Sequence, residues 1–157
     1  MDEARRHEPK VRHFMCLENM YHQAPINRTI PSRLEVDEGR AEVCYEVSRS
    51  YWHSAGAAHG SAYFKGLDDA AFFAANSVVE SYFVLTLKFE VELLAPFDGE
   101  LLRAVGTFER REGRKIWSTA ELFAPQEHLI ARGRGLFIVS QTPLTAEIGY
   151  RLTAAPS

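Results

Sequence analysis

Two cysteines in 157 residues are too few for a disulfide framework, and Cys16 and Cys44 fit a reducing compartment. There is no excess of positive charge: 18 Lys and Arg stand against 21 Asp and Glu, for a net charge of −3. That balance argues against a dedicated nucleic-acid or anionic-membrane binder, so a phosphate-bearing ligand has to be met by a local basic patch. No apolar run reaches membrane-spanning length before a Lys or Glu interrupts it. The opening residues Met1 to His7 lack the apolar stretch of a signal peptide. Gly/Ser linkers, low-complexity tracts and internal repeats are missing too, and no domain boundary is visible. The expectation is one domain over residues 1–157, in a soluble cytoplasmic protein.

What is present is an ordinary globular composition, 46% hydrophobic and 25% charged, with two clear periodicities. From Glu8 to Tyr21, Val11, Phe14, Met15 and Leu17 recur at helical spacing and Pro25 ends the run, so residues 1–30 read as a helical lead-in. Leu34 and Val36, a turn at Glu38-Gly39, then Ala41, Val43, Tyr45 and Val47 on one face predict a hairpin with one buried side. After a loop, Tyr63, Leu67, Ala70, Ala71 and Ala74 predict an amphipathic helix of roughly four to five turns with an alanine-rich buried stripe. Small residues there let a sheet approach closely, and Gly66 is tolerated for the same reason or for ligand approach.

Beyond Ser77 the period becomes two. Phe83, Leu85, Leu87, Phe89, Val91 and Leu93 share an apolar, helix-facing side, which leaves Thr86 on the other. Three more strands are predicted at about 101–109, 115–123 and 128–140, joined at Arg111-Glu112-Gly113 and Pro125-Gln126-Glu127. A parallel sheet needs crossover connections, and no later helix supplies one. The class is α+β, one helix on one antiparallel sheet.

His59-Gly60-Ser61 opening a helix, then Leu67-Asp68-Asp69-Ala70, Ala75-Asn76-Ser77, Ala95-Pro96, Gly99-Glu100 and Ala131 to Phe137, resembles the hotdog acyl-CoA thioesterases of the phenylacetate-pathway type. The resemblance covers roughly residues 32–140. It implies a hotdog fold, a long central helix wrapped by an antiparallel sheet, with an extra N-terminal helix. It implies hydrolysis of an acyl-CoA to free acid and coenzyme A, without cofactor or metal, in a homodimer or dimer of dimers with shared sites. It puts the general base or nucleophile on Asp68 and the carbonyl-polarising N–H on Gly60. His59 is expected to hold that turn. Thr86, on the facing subunit, is the residue expected to position the water or the carboxylate. The chain departs from the pattern twice: His53 stands where relatives often place Asn, and Ser61 where a second glycine is common.

The residues themselves support parts of this. Gly60 at a helix start offers an unpaired N–H and the positive end of the helix dipole to an oxyanion. Asp68 lies at the border of the apolar stripe, four residues from Phe64 and from Phe72, where desolvation should raise its pKa. Asp69 points nearly opposite the stripe and reads as solvated or dimer-contacting. Arg110, Arg111, Arg114 and Lys115 bracket one hairpin tip and suit the phosphates of coenzyme A, with Arg132 and Arg134 as second candidates. A charge-decorated solubilising turn explains the same four residues equally well. His53 and His59 lack a third ligand at a recognisable spacing, so no metal site is expected. A hotdog dehydratase or hydratase, and a non-catalytic acyl-CoA-binding module, are the alternative functions on the same scaffold.

Overall fold

The computed structural model describes residues 8–152, so the outermost parts of the expected 1–157 domain and of the 1–30 lead-in lie outside the described residues. The lead-in forms helix α1, Pro9–Gln23, and a single turn α2, Ile26–Thr29. Strands β1, Ser32–Asp37, and β2, Arg40–Glu46, make the predicted hairpin. The central helix α3 spans Gly60–Asn76, and strands β3, Tyr82–Leu93, β4, Leu101–Glu112, β5, Lys115–Ala124, and β6, His128–Pro143, follow it. The strands form one antiparallel sheet in the order β1-β2-β4-β5-β6-β3.

The sheet curls round α3 because the contact surface is stripped of side chains. Tyr63, Leu67, Ala70, Ala71 and Ala74 are all buried, as the periodicity requires. Opposite them stands Gly106 of β4, where an added Cβ would lie 2.0 Å from the Ala70 carbonyl oxygen. Gly66 is explained the same way: a Cβ there would meet the Tyr45 ring at 2.4 Å. Tyr45 uses that space to donate from its hydroxyl to the Ala62 carbonyl at 2.7 Å.

The two sheet edges differ. β1 is closed by α1: Glu18 Oε1 accepts from Val36 N at 2.9 Å, and His22 Nε2 accepts from Leu34 N at 3.0 Å. Two side chains one helical turn apart thereby replace a neighbouring strand. β3 is covered in this way at its start, where Asn76 Oδ1 accepts from Val84 N at 3.0 Å and Asn76 Nδ2 donates to Tyr82 O at 3.1 Å, and beyond Val84 no described side chain does the same. Its side-chain pattern also departs from the expected single apolar face, because the ladder to β6 slips at Tyr82/Val84 and at Thr86/Lys88. Leu87 is the extra residue of the second slip. A bulge of this kind inverts the alternation: Val84 and Thr86 turn inward before it, Phe89 and Val91 after it. Leu85 and Leu87 are left 49% and 58% exposed.

Candidate active site

The loop that feeds α3 is folded tightly. His53 N donates to Ala57 O at 2.9 Å, Gly56 N donates to His53 O at 3.1 Å, and Gly56 takes φ +83°. Ala58 N then donates to Phe97 O, and His59 N to Tyr51 O, both at 2.8 Å, which aims the chain into the helix. His59 is the N-cap of α3: its Nδ1 accepts the Ser61 N–H at 3.1 Å and lies 2.9 Å from Ser61 Oγ. Gly60 is therefore the first helical residue, where an N–H has no intrahelical acceptor. His53 and Gly60 line one cavity of about 310 Å³ with Tyr63, Leu93, Leu94 and Pro96. Tyr63 closes part of its wall by donating from its hydroxyl to Ala95 O at 2.8 Å.

Asp68 sits two turns further along α3, on the flank that faces β3. Thr86 Oγ1 donates to Asp68 Oδ1 at 2.9 Å within the same chain. This corrects the sequence expectation in two respects: Thr86 faces the helix, and it reaches the carboxylate without a second subunit. The bulge at Leu87 is the cause, since it ends the alternation that had placed Thr86 outside. Phe64 packs edge-to-face on Phe89, and Phe72 packs on Phe83 and Phe137. Burial among these groups pushes the Asp68 carboxyl up to about 6, with the Thr86 hydrogen bond and Lys65 acting against the rise and Asp69 adding to it. Such a group titrates close to neutrality and is well matched to taking a proton from water.

Asp69 is not solvated. Its Oδ2 accepts from the Tyr21 hydroxyl at 2.7 Å and pairs with the Lys65 ammonium, which also donates to Asn27 Oδ1 at 2.8 Å. The Lys65 side chain is only 10% exposed. The lead-in helix covers the flank that helix phasing alone had assigned to solvent. Lys65 and Asp69 at i, i+4 were visible in the sequence as a pair, but their partners on α1 and α2 were not.

Three of the four hairpin cations, Arg110, Arg111 and Arg114, are engaged locally. Arg110 stacks 3.7 Å from the Trp117 ring centroid and pairs with Glu112. Arg111 Nε donates to Gly113 O at 2.8 Å, and Arg114 donates through Nε and Nη2 to Val139 O. Arg132 and Arg134 pair with Glu92 and Glu109. A larger cavity, about 570 Å³ beside Trp52 and Arg49, takes in none of the candidate residues. Among the described residues no group of three or more His, Cys, Asp or Glu is placed to hold a metal ion. No helix among them is long and apolar enough to cross a membrane.

A long helix enclosed by one antiparallel sheet in this strand order is the hotdog fold, and solved structures bear this out. The E. coli PaaI protein from the phenylacetic acid degradation operon superposes with a TM-score of 0.75 at 21% identity, over 85% of this chain and 99% of that one. A thioesterase family protein from Silicibacter pomeroyi gives 0.73 at 24% identity, over 80% and 99%. A putative thioesterase from Ralstonia eutropha JMP134, described as phenylacetic acid degradation-related, gives 0.70 at 20% identity, over 80% and 99%. At these identities the likeness is one of fold. No family model matches the chain, and no curated protein matches it.

Proposed function

We propose that the protein is an acyl-CoA thioesterase in which Asp68 draws the proton from an attacking water and the Gly60 N–H holds the oxyanion. The observation that carries this reading is Asp68 itself: a carboxyl raised to about 6 by burial, oriented by Thr86 and flanked by phenylalanines. Thr86 donates to one carboxylate oxygen and leaves the other for water. Gly60, at the positive end of α3, presents its N–H beside His53 in a cavity whose other walls are mainly apolar. His59 serves as the cap that holds this N–H in place. Attack forms the carbon–oxygen bond, the tetrahedral intermediate breaks the carbon–sulfur bond, and the thiolate leaves as coenzyme A once protonated. Arg110, Arg111, Arg114 and Lys115 remain the proposed contacts for its phosphates, the three arginines exchanging their present partners.

Gly60 and Asp68 are eight residues apart on one helix, which places their Cα atoms about 12 Å apart. They cannot both act on one carbonyl in a single chain. A second copy related by a two-fold axis can bring Gly60 of one chain to Asp68 of the other, so the reading requires a homodimer or dimer of dimers. The edge of β3 beyond Val84, with Leu85, Leu87 and Leu93 exposed, suits such pairing.

The test is subunit complementation. Gly60→Pro deletes the N–H at the first helical position, where proline is well accepted, and His59 already holds the extended φ −64°, ψ 147° that a following proline favours. Gly60→Pro and Asp68→Asn should each be nearly inactive in a thiol-release assay. Refolded together in equal amounts they should regain about a quarter of wild-type activity, since half the dimers are mixed and each mixed dimer holds one intact site. No recovery from a mixture shown to contain mixed dimers rules out the shared site.

A further inference from the structure

A cavity of about 530 Å³ opens between the end of α1, the start of β3 and the turn that follows β6. Met20, Pro25, Phe83, Leu85 and Ile148 give it mainly apolar walls. Two further lining residues, Gln23 and Arg151, are donors: Arg151 Nη2 donates to Gln23 Oε1 at 2.9 Å, which commits the amide oxygen to the guanidinium. Gln23 Nε2 and Arg151 Nε are both buried and meet no acceptor among the described residues. Such groups are ordinarily paired, and a ligand that turns them toward the cavity and accepts from them removes their cost. The backbone carrying the guanidinium is tied to α1, because Asn19 Nδ2 donates to the carbonyls of Arg151 and Leu152 at 2.7 and 3.0 Å. Glu147, the acid on the same wall, is exposed.

This cavity borders the carboxylate flank of α3 through a single pair of rings. Its wall residue Phe83 packs on Phe72 with ring centroids 5.1 Å apart, and Phe72 is one helical turn beyond Asp68. We propose that the cavity receives the far end of the acyl group and that Gln23 and Arg151 select chains ending in a carboxylate. The apolar walls take the methylenes, and the guanidinium with the neighbouring amide N–H takes the anion. Phe72 stands about 5.4 Å along the helix past Asp68 and Phe83 lies beyond it, so short acyl groups do not reach the cavity. The substrate assignment rests on the thioesterase reading, whereas the binding of a dicarboxylate does not.

Octanoyl-CoA and suberyl-CoA, equal in chain length, separate the two ends of the argument, with octanoate and suberate as the corresponding ligands in thermal-shift titrations. The wild-type protein should turn over suberyl-CoA with a kcat/KM at least about tenfold higher, the scale of one charge-assisted hydrogen bond. Arg151→Met should lose that preference through KM while octanoyl-CoA stays within about twofold. Gln23→Glu keeps the contact to Arg151 as an ion pair and should likewise lose it, in a chain whose fold is not in question. Suberate should raise the Tm of the wild type and not of Arg151→Met. Equal handling of the two thioesters by the wild type, or equal losses on both in the variants, overturns the proposal. If no acyl-CoA is hydrolysed but suberate still stabilises the protein through Arg151, the pocket stands and the thioesterase reading falls.

Discussion

Asp68 and Asp69 are neighbours in the chain and occupy opposite flanks of α3. Both are pushed up by burial, yet their surroundings differ in kind. Asp69 faces α1 and is held by Tyr21 and Lys65, both on its Oδ2, so its charge is matched. Asp68 faces β3 and has Thr86 alone, amid aromatic rings. One carboxylate is held by a cation and a hydroxyl, and the other by a hydroxyl with no ion pair among the described residues. The same asymmetry runs through the sheet, whose β1 edge is sealed by Glu18 and His22 while the β3 edge beyond Val84 stays open among the described residues. On this helix the flank that α1 covers carries a matched ion pair, and the flank toward β3 carries the carboxylate proposed for the chemistry.

The largest effect expected from breaking this contrast is on turnover at Asp68. Asp68→Asn should lower kcat by about 10²- to 10⁴-fold, the usual scale for losing a general base, with KM little changed. The same change should raise Tm at pH 7. A folded pKa of about 6 against a model value of 3.8 means that ionisation opposes folding. This carboxyl favours the fold below about pH 3.8, and the benefit is lost as pH rises through about 6. The gain at pH 7 is capped at about 3 kcal/mol and reduced by the solvent the group retains. A scan of kcat/KM against pH should show an acid limb near 6, steepest where Asp68 ionises.

Asp69→Asn should reverse the pattern. It strands the Lys65 ammonium beside Tyr21 and Asn27, and breaking one partner of a buried pair costs about 3–5 kcal/mol. Chemical denaturation should report that loss, while activity per folded molecule stays within a few-fold of wild type. Since Asp69 helps hold the Asp68 pKa up, the acid limb should also move to lower pH. Lys65→Met with Asp69→Leu removes both charges and should recover much of the stability. A variant as stable as wild type but inactive would mean that the two flanks had been assigned the wrong way round.

Much of this was legible in the sequence. The alanine stripe and the switch from period 3.6 to period 2 indicate a helix clasped by a sheet, and α3 and the β1–β2 hairpin follow that reading closely. Helix phasing also placed Asp68 between Phe64 and Phe72, but it could not show what would cover the Asp69 side. That depends on where α1 docks, a long-range choice made by Leu17, Tyr21 and the Tyr21–Asp69 bond. Thr86 was misplaced because a bulge leaves little trace in an alternating pattern. Leu87 looks like one more apolar strand residue until the register with β6 is known.

Thr86→Val sharpens the contrast from the other side. Valine keeps the shape and removes the only hydrogen bond that orients Asp68 among the described residues. That bond lowers the Asp68 pKa, so the acid limb of kcat/KM should move to higher pH, the direction opposite to Asp69→Asn. A loss of about tenfold in kcat at neutral pH is expected from one charge-assisted hydrogen bond. Replacement by Ser should restore both the limb and most of the rate. If Thr86→Val leaves the limb where it was, Thr86 acts by packing alone.

The smallest expected effect is at the sealed edge. His22 Nε2 can accept the Leu34 N–H only while that nitrogen is unprotonated. Burial lowers the His22 pKa, with Arg33 adding to the effect. Folding therefore favours the neutral ring: its contribution is present above the unfolded value of 6.5 and is lost as pH falls through the lowered folded value. Amide exchange at Leu34, corrected for the intrinsic rate, should accelerate below pH 6.5 by the equivalent of about 1 kcal/mol, the net worth of one such bond. Val36, whose N–H is held by Glu18 at 2.9 Å, is the internal control, because the Glu18 pKa is raised and its carboxyl remains an acceptor in either state. His22→Ala should expose Leu34 at every pH and leave Val36 protected. Parallel loss at both amides would show that α1 detaches as a unit, and that the β1 edge is sealed by the helix as a whole and not by its individual side chains.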